Sequence, residues 1–174
     1  NAASVVSQLD FNGVLSYTVT NNNVFTIGAG GITNPVLVNQ AIINNGTLNL
    51  SEPSVANQVS ITDSGVINFL GSAISICNAP ISGGGTVVQG GTGTTILTKT
   101  NTYTGGTTIS AGTLQIGNGG GTGAIAGNIL DNAALVFNRA GLLIHSGNIS
   151  GSGVLIQSGI GGTILTGTNT YTGD

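Results

Sequence analysis

Charged side chains are almost absent from this chain. Seven of its 174 residues are ionised at neutral pH, two of them basic and five acidic. Two basic side chains cannot neutralise a phosphate backbone, so we exclude nucleic acid as a partner. The chain also has no polybasic cluster for an anionic membrane surface and no apolar run of about 18 residues to span a bilayer. The composition therefore limits the partners severely.

Cysteine, methionine, tryptophan and proline are also scarce or missing. The single cysteine, Cys77, rules out an internal disulfide framework. The chain has no methionine, no tryptophan and three prolines, and it is rich in Val, Ile, Thr, Asn and Gly. Such a composition is typical of strands and turns. Disorder is disfavoured, because 39% of the residues are apolar and they fall at regular positions.

A long internal repeat is the most informative feature that the sequence does have. Residues 81–106 (ISGGGTVVQGGTGTTILTKTNTYTGG) recur 68 positions later as residues 149–174 (ISGSGVLIQSGIGGTILTGTNTYTGD), with 17 of 26 aligned pairs identical. Self-similarity at a fixed period indicates an architecture of stacked units. A stack of near-copies gives a long surface, whereas an enzyme needs one place where unlike groups converge.

A finer period of about 20 residues lies within the long one. Small residues mark successive blocks at Gly46, Gly65, Gly85, Gly112, Ala133 and Gly153. Two positions after each mark stands an aliphatic residue: Leu48, Ile67, Val87, Leu114, Leu135 and Leu155. Because side chains alternate along a strand, we expect this column to be a solvent-excluded core ladder. The next residue in each block then faces outward, at Asn49, Asn68, Val88, Gln115, Val136 and Ile156. The long repeat would comprise three blocks.

The block length predicts the fold. About 20 residues leave room for three short strands and three bends, which is one coil of a parallel β-helix whose coils stack about 4.8 Å apart. Leucine-rich and helical repeats have other signatures. No linker or charge block interrupts the chain. We therefore predict a single all-β domain over residues 1–174, with irregular first coils over about 1–40 and regular coils over 41–174.

Two glycine-rich segments approach nucleotide-binding motifs, and both are better explained as turns. Residues 121–126 (GTGAIA) match a dinucleotide fingerprint, but no helical pattern follows and no acid stands about 20 residues later. Residues 93–100 nearly spell a phosphate-binding loop. Thr98 replaces the second glycine of that loop, and the repeat has Gly167 in place of Lys99. With no calcium-binding nonapeptide either, we predict no cofactor and no metal.

The acidic residues do not suggest a catalytic pair. Asp63 and Asp131 occupy equivalent places in the long repeat, so three coils would separate them by roughly 14 Å. Glycoside hydrolysis needs carboxyl groups about 5 to 9.5 Å apart. The remaining acids, Asp10, Glu52 and Asp174, stand at other offsets in other coils.

Other reactive or aromatic side chains are also better explained by packing. Cys77 and His145 are equivalent in the long repeat, so three coils would separate them and exclude a thiol–imidazole pair. Tyr103 and Tyr171 have two interpretations, stacking on sugar rings or packing at a corner, and we favour packing. We therefore predict no catalytic residue and no enzymatic activity.

The segment from Thr94 to Gly117 resembles the passenger-associated transport repeat of bacterial autotransporters. The similarity rests on the Asn-Thr-Tyr-Thr-Gly-Gly core and on a following strand that ends in Gly-Thr-Leu. The core comprises Asn101, Thr102, Tyr103, Thr104, Gly105 and Gly106, and a second copy begins with Asn169, Thr170, Tyr171, Thr172 and Gly173. The strand ends at Gly112, Thr113 and Leu114.

The resemblance implies a right-handed parallel β-helix passenger that is exported through the outer membrane, then secreted or displayed at the bacterial surface. Its motif is structural and brings no catalytic residues. We expect part of a longer passenger that acts as a non-enzymatic shaft or adhesin. The expected partners are the chain itself, through end-to-end or lateral contacts, and host or bacterial surface molecules.

Three further hypotheses come from the residues. The given sequence stops in mid-coil with Gly-Thr-Asn-Thr-Tyr-Thr-Gly-Asp, so we expect that the start of a second copy could continue the last coil and build filaments. The chain could instead be the scaffold of a β-helix polysaccharide-active enzyme whose site lies elsewhere. Ice binding is disfavoured, because it needs threonine pairs on every coil and Thr-Tyr-Thr recurs only every 68 residues.

Overall fold

The structure, a computed structural model, describes residues 4–10, 18–33, 40–51 and 59–173. All regular elements in these residues are β-strands, and every strand pair is parallel. The chain winds as a β-solenoid with roughly 20 residues in each turn. The predicted all-β parallel β-helix is therefore confirmed.

Three faces run along the solenoid. Face one is an eight-stranded sheet of β1 (Ser4–Asp10), β3 (Val24–Thr33), β5 (Thr47–Leu50), β7 (Val66–Phe69), β10 (Thr86–Gln89), β12 (Thr107–Ile109), β14 (Ile129–Asp131) and β17 (Ile149–Ser150). Face two is a five-stranded sheet of β8 (Ile74–Cys77), β11 (Thr94–Leu97), β13 (Thr113–Ile116), β15 (Ala134–Phe137) and β18 (Val154–Gln157).

Face three begins with a sheet of β2 (Thr18–Asn21), β4 (Gln40–Asn44), β6 (Val59–Asp63) and β9 (Ile81–Ser82). It continues through two segments outside named strands: the Thr102 N–H donates to the Ile81 carbonyl, and Thr100 bridges Ala124. It ends with the pair of β16 (Leu143–His145) and β19 (Thr163–Leu165). From β7 onward the chain visits the faces in the order one, two, three, so one segment on each face makes one turn.

Alternation along each strand builds the core. In β7, Ile67 and Phe69 are fully buried, whereas their neighbours Val66 and Asn68 are half-buried. The same alternation in the other faces fills the interior with Leu, Ile, Phe and one tyrosine. Because strands stack in register, like residues contact each other from coil to coil, as Leu48 contacts Ile67 and Leu135 contacts Leu155.

The long repeat does not span three whole turns. Ile81 stacks on Ile61 in face three, whereas its counterpart Ile149 stacks on Ile129 in face one. Ten segments separate the two copies: the eight strands from β9 to β16, residues 101–103 and residues 124–125. At three segments a turn, the repeat covers three turns and a third. The prediction of three blocks was wrong. The second copy lies one face further round the solenoid than the first.

The predicted core ladder is correspondingly two ladders. Leu48, Ile67 and Val87 stack in face one, and the next residue in that stack is Thr107. Leu114, Leu135 and Leu155 stack in face two, above Thr95. The first five ladder residues are fully buried, but Leu155, in the last strand of face two, is only half-buried. The expected single column breaks at β12, the strand that follows Val87 in the stack of face one.

The irregular start of the chain is visible in the pairing of β1 with β3. Their register shifts between Val6 and Gln8, whereas the later strand pairs stay in continuous register. Residues 11–17 and 34–39, which belong to the predicted irregular coils, lie outside the described residues. The assignment of residues 1–174 to one domain stays a prediction.

Candidate functional site

Asn101, the first residue of the repeat core, joins three coils. Its side-chain oxygen accepts a hydrogen bond from the Ile81 N–H at 2.9 Å. Its amide nitrogen donates to the carbonyls of Lys99 at 2.8 Å and Ala124 at 3.0 Å. The side chain is buried, so it replaces backbone ladder bonds at a position where the chain leaves strand geometry. Asn101 is therefore a structural clamp.

Tyr103 fills the interior at the corner between face three and face one. It is fully buried, and its hydroxyl shares a 2.6 Å hydrogen bond with the Thr107 hydroxyl. Burial raises the pKa of Tyr103 well above its usual value. Gly106 follows with φ of +92°, a conformation that side chains rarely adopt. Because the ring faces the core, Tyr103 packs the corner and cannot stack on a sugar.

The second copy of the core repeats two of the three side-chain hydrogen bonds of the first, at a more exposed place. The Asn169 side-chain oxygen accepts from the Ile149 N–H at 2.9 Å, and its nitrogen donates to the Gly167 carbonyl at 2.9 Å. Asn169 and Tyr171 are half-buried. Thr170 and Thr172 hydrogen-bond to the preceding coil through their backbone N–H groups. Both copies of the core are therefore corner-forming segments rather than exposed binding groups.

Two buried carboxyl groups lie at corners of the solenoid. Asp63 ends a ladder in which the Asn21 amide donates to Asn44 at 2.6 Å and the Asn44 amide donates to Asp63 at 2.7 Å. One carboxylate oxygen of Asp63 has no hydrogen-bond partner. Burial raises the pKa of Asp63, although the hydrogen bonds from Asn44 and the Gly65 N–H oppose that rise.

Asp131 repeats this environment one face further round. It accepts a hydrogen bond from the Ala133 N–H at 3.1 Å, has one buried oxygen without a partner, and has its pKa raised by burial. Asp63 closes a strand of face three, whereas Asp131 closes a strand of face one. The two acids are therefore not stacked at one corner, as the three-block repeat implied. Glu52 and Asp174 lie outside the described residues.

Cys77 and His145 are separate core residues. Cys77 lies inside face two, where burial raises its pKa to about 11 and its thiol donates weakly to the Ala79 carbonyl at 3.7 Å. His145 lies inside face three, where burial lowers its pKa despite an opposing backbone hydrogen bond with Ile125. Its Nε2 atom is buried without a partner. Neither side chain is accessible for nucleophilic chemistry.

An open recess of about 220 Å³ lies on the outside of face one. It is lined by uncharged residues, among them Thr86, Thr108, Asn128, Leu130 and Ser150. Within residues 59–173, the charged side chains that reach the surface are Lys99 and Arg139, because Asp63 and Asp131 are buried. No carboxyl group lines the recess, so it lacks the acid and base that sugar hydrolysis needs.

Across the described ranges, no three His, Cys, Asp or Glu side chains are grouped so that they could hold a metal ion. The same ranges contain no helix that is long and apolar enough to cross a membrane.

The comparisons with known proteins point to one class. The passenger-associated transport repeat matches residues 87–116 and 155–174. The chain is also 64% identical over 56 residues to the Adhesin BmaC autotransporter of Brucella suis biovar 1 (strain 1330), a match that covers 32% of this chain and 2% of that protein. No solved structure matches. The predicted resemblance to the passenger-associated transport repeat is confirmed over those two segments of the chain.

Sequence reasoning missed the polar ladder and the rotation of the repeat. Asn21, Asn44 and Asp63 stand at intervals of 23 and 19 residues, which is one coil each, and each precedes a turn. Those intervals were a usable signal for the ladder. For the rotation, the signal was the spacing of 27 residues between Gly85 and Gly112, which exceeds the other spacings by the length of one short strand and its turn.

Proposed function

We propose that this chain is part of the passenger of an autotransporter adhesin, exported through the outer membrane and displayed at the bacterial surface or secreted. In this role it acts as a non-enzymatic shaft that contacts host or bacterial surface molecules. The observation that carries the proposal is the 64% identity to a protein named as an adhesin autotransporter, together with the solenoid fold. The matched segment is 2% of that relative. Adhesion by this chain is therefore a proposal.

Two features of the chain support export as an unfolded polypeptide. A chain that passes through a narrow pore must carry no disulfide, and the single cysteine is buried and free. The strands of each coil pair with those of the preceding coil, so each coil can form on the template of the one before it. Folding coil by coil is therefore compatible with export as an unfolded chain.

Surface display is tested on the bacterium that produces the protein. Proteinase K added to intact cells should remove the epitope of an antibody raised against residues 59–173, while a periplasmic marker survives. Retention of the epitope on intact cells, with loss only after the outer membrane is permeabilised, would contradict surface display.

Adhesion is tested with the purified chain. It should bind to host cells in a saturable manner measured by flow cytometry, and unlabelled chain should compete for that binding. Unsaturable binding equal to that of an unrelated solenoid would contradict the adhesive role of this segment.

The scaffold of a polysaccharide-active enzyme is the second candidate. The buried, separated positions of Asp63 and Asp131 and the uncharged recess disfavour it within the described residues. The purified chain should therefore release no reducing sugar from a polysaccharide panel. Any turnover that Asp63→Asn or Asp131→Asn abolishes would establish the enzymatic alternative.

End-to-end self-association stays a prediction. If it occurs, the particles should lengthen with concentration at constant width in negative-stain images. A charged cap fused after the last coil should shorten them.

A further inference from the structure

Three segments of the chain have the pattern Asn-X-Ser/Thr, in which a hydroxyl residue stands two positions after an asparagine. They begin at Asn45, Asn49 and Asn148, and the residue between is not proline in any of them. In secreted proteins this pattern is the acceptor for N-linked sugars, and the asparagine then lies in a surface loop or turn. The structure shows which of the three asparagines meets that condition.

Asn148 meets the condition. It is exposed at the corner between face three and face one, directly before β17. Its side-chain oxygen accepts a hydrogen bond from the Thr168 N–H at 2.7 Å. Because this contact with the following coil uses the oxygen alone, the amide nitrogen can carry a substituent without breaking it. The open recess of face one, which Asn128 and Ser150 line, flanks this position and leaves room for a sugar.

Asn45 lies at the same corner, between β4 and β5, and is also exposed. Its amide nitrogen donates to the Asn22 side-chain oxygen at 2.8 Å. That nitrogen has two N–H groups, so a sugar can replace one while the other keeps the bond to Asn22. Five strand steps of face one separate Asn45 from Asn148, which is about 24 Å at 4.8 Å a step. Sugars on both would project from one edge of the solenoid.

Asn49 does not meet the condition. It lies within β5 on face one and is half-buried. Its amide nitrogen donates to the Thr26 hydroxyl at 3.3 Å, and its oxygen accepts from the Asn68 amide at 2.8 Å. Neighbouring coils therefore contact both polar atoms of the side chain, and a sugar would disrupt this outward ladder. We expect Asn49 to stay unmodified.

Asn128 provides a matched comparison within the chain. It is exposed at the same corner, one coil before Asn148, and its side-chain oxygen accepts from the Asn148 N–H at 2.9 Å. Each of the two asparagines thus accepts a backbone bond from the coil that follows. They differ two positions later, where Leu130 pairs with Ser150. Asn128 therefore has the surroundings of Asn148 without the hydroxyl group.

We propose that Asn148 and Asn45 are acceptor sites for an N-linked hexose. The amide nitrogen attacks the anomeric carbon of a nucleoside diphosphate hexose. The bond from that carbon to the phosphate oxygen breaks, the nucleoside diphosphate leaves, and the nitrogen loses one proton. A glycosyltransferase of the producing cell catalyses the transfer. Because N-linked sugars are bulky and solubilising, they would add polar surface to a chain with seven charged residues.

Mass spectrometry of the full chain, purified from the bacterium that produces it, tests the proposal. Peptides are fragmented by electron transfer, which keeps sugars attached to their asparagines. Asn148 and Asn45 should carry hexose, whereas Asn49 and Asn128 should carry none.

Three variants then test the role of the hydroxyl group. Ser150→Thr should keep the sugar on Asn148, and Ser150→Ala should remove it. Leu130→Ser should add a sugar at Asn128, the matched position one coil earlier. Circular dichroism verifies the strand signal of each variant.

A bare Asn148 or Asn45 in the unmodified chain, a sugar on Asn148 that persists in Ser150→Ala, or a bare Asn128 in Leu130→Ser would overturn the proposal. The inference takes its setting from the proposed export, but the two fail separately. A chain that proteinase K removes from intact cells and that carries no sugar contradicts glycosylation alone. A glycosylated chain that the protease cannot reach contradicts surface display alone.

Discussion

The two copies of the repeat core have nearly the same sequence and different surroundings. Tyr103 is fully buried, whereas Tyr171, its counterpart, is half-buried. Asn101 makes three hydrogen bonds, and Asn169 makes two. The missing partner of Asn169 corresponds to Ala124, which lies on the coil that follows Asn101. The comparison teaches that a following coil adds both a hydrogen bond and burial to the corner segment beneath it.

The comparison also separates what the motif specifies from what the stack specifies. Both copies use the asparagine to hold the preceding coil, through Ile81 in one case and Ile149 in the other. Yet Ile81 lies in face three and Ile149 in face one. The motif therefore specifies a corner, and two of the three corners of the solenoid accept it.

Truncating the two tyrosines should give the largest difference between the copies. Tyr103→Ala leaves a cavity in a closed core, and we expect it to cost about 3–5 kcal/mol of unfolding free energy. Tyr171→Ala removes a ring that is already half in solvent, and it should cost less than half as much. Urea unfolding followed by circular dichroism measures both values. Equal losses would show that the two copies are equally covered in solution.

Removing the two asparagine clamps should give the next largest difference. Asn101→Ala leaves the Ile81 N–H and the Ala124 carbonyl without their side-chain partner inside the stack, and we expect a loss of about 1–3 kcal/mol. Asn169→Ala breaks one bond fewer at a more exposed place, so its loss should be smaller. Amide hydrogen exchange provides a local check, because the Ile81 N–H should lose protection in Asn101→Ala. Unchanged protection there would contradict the clamp.

Much of this architecture could be predicted from the sequence, because the coil length of a β-helix determines the spacing of its inward-facing aliphatic residues. The column through Leu48 and Ile67 indicated both the period and the inward side. The break after Val87 could not be found in this way. All three faces bury aliphatic residues, so an extra segment such as β12 changes the face without changing the hydrophobic pattern. Only the pairing of Val87 with Thr107 reveals it.

The corner motif was recognised from its residues, but the roles of its side chains were not. Alternation along a strand says nothing about a segment that is not in a strand, and Asn101 and Tyr103 lie between β11 and β12. The burial of Tyr103 depends on the coils on both sides of it. This burial comes from the neighbouring coils, so the residues next to Tyr103 in the sequence do not predict it.

The two buried acids, Asp63 and Asp131, should make the stability of the chain depend on pH. Burial raises the folded-state pKa of Asp63 above its unfolded value, so the folded state binds the proton more tightly. The resulting contribution to stability is fully present below the unfolded pKa of 3.8 and is lost as the pH rises through the folded pKa. Asp63→Asn retains the acceptor for Asn44 and removes this loss, so it should stabilise the chain at neutral pH.

His145 contributes with the opposite sign, because burial lowers its folded-state pKa below 6.5 and acid then favours the unfolded chain. The difference between Asp63→Asn and the unmodified chain isolates the carboxyl group from that effect. Thermal unfolding from pH 3 to pH 8 should show the advantage of the variant growing with pH. Asp131→Asn should behave in the same way, since both acids have one unpartnered oxygen. An advantage that shrinks with rising pH would show that the carboxyl groups are ionised and satisfied.

Cross-linking of cysteine pairs tests most directly the central claim, that the repeat covers three turns and a third. In the structure the outward residue Val88 pairs with Thr108, whereas a repeat of three whole blocks would place Val88 beside Gln115. Neighbouring strands are about 4.8 Å apart, within the range that a disulfide spans. Oxidation should therefore cross-link Val88→Cys with Thr108→Cys and leave Val88→Cys with Gln115→Cys unlinked, as judged by thiol titration and mass spectrometry. The reverse result would contradict the rotation of the repeat and every surface assignment that depends on it.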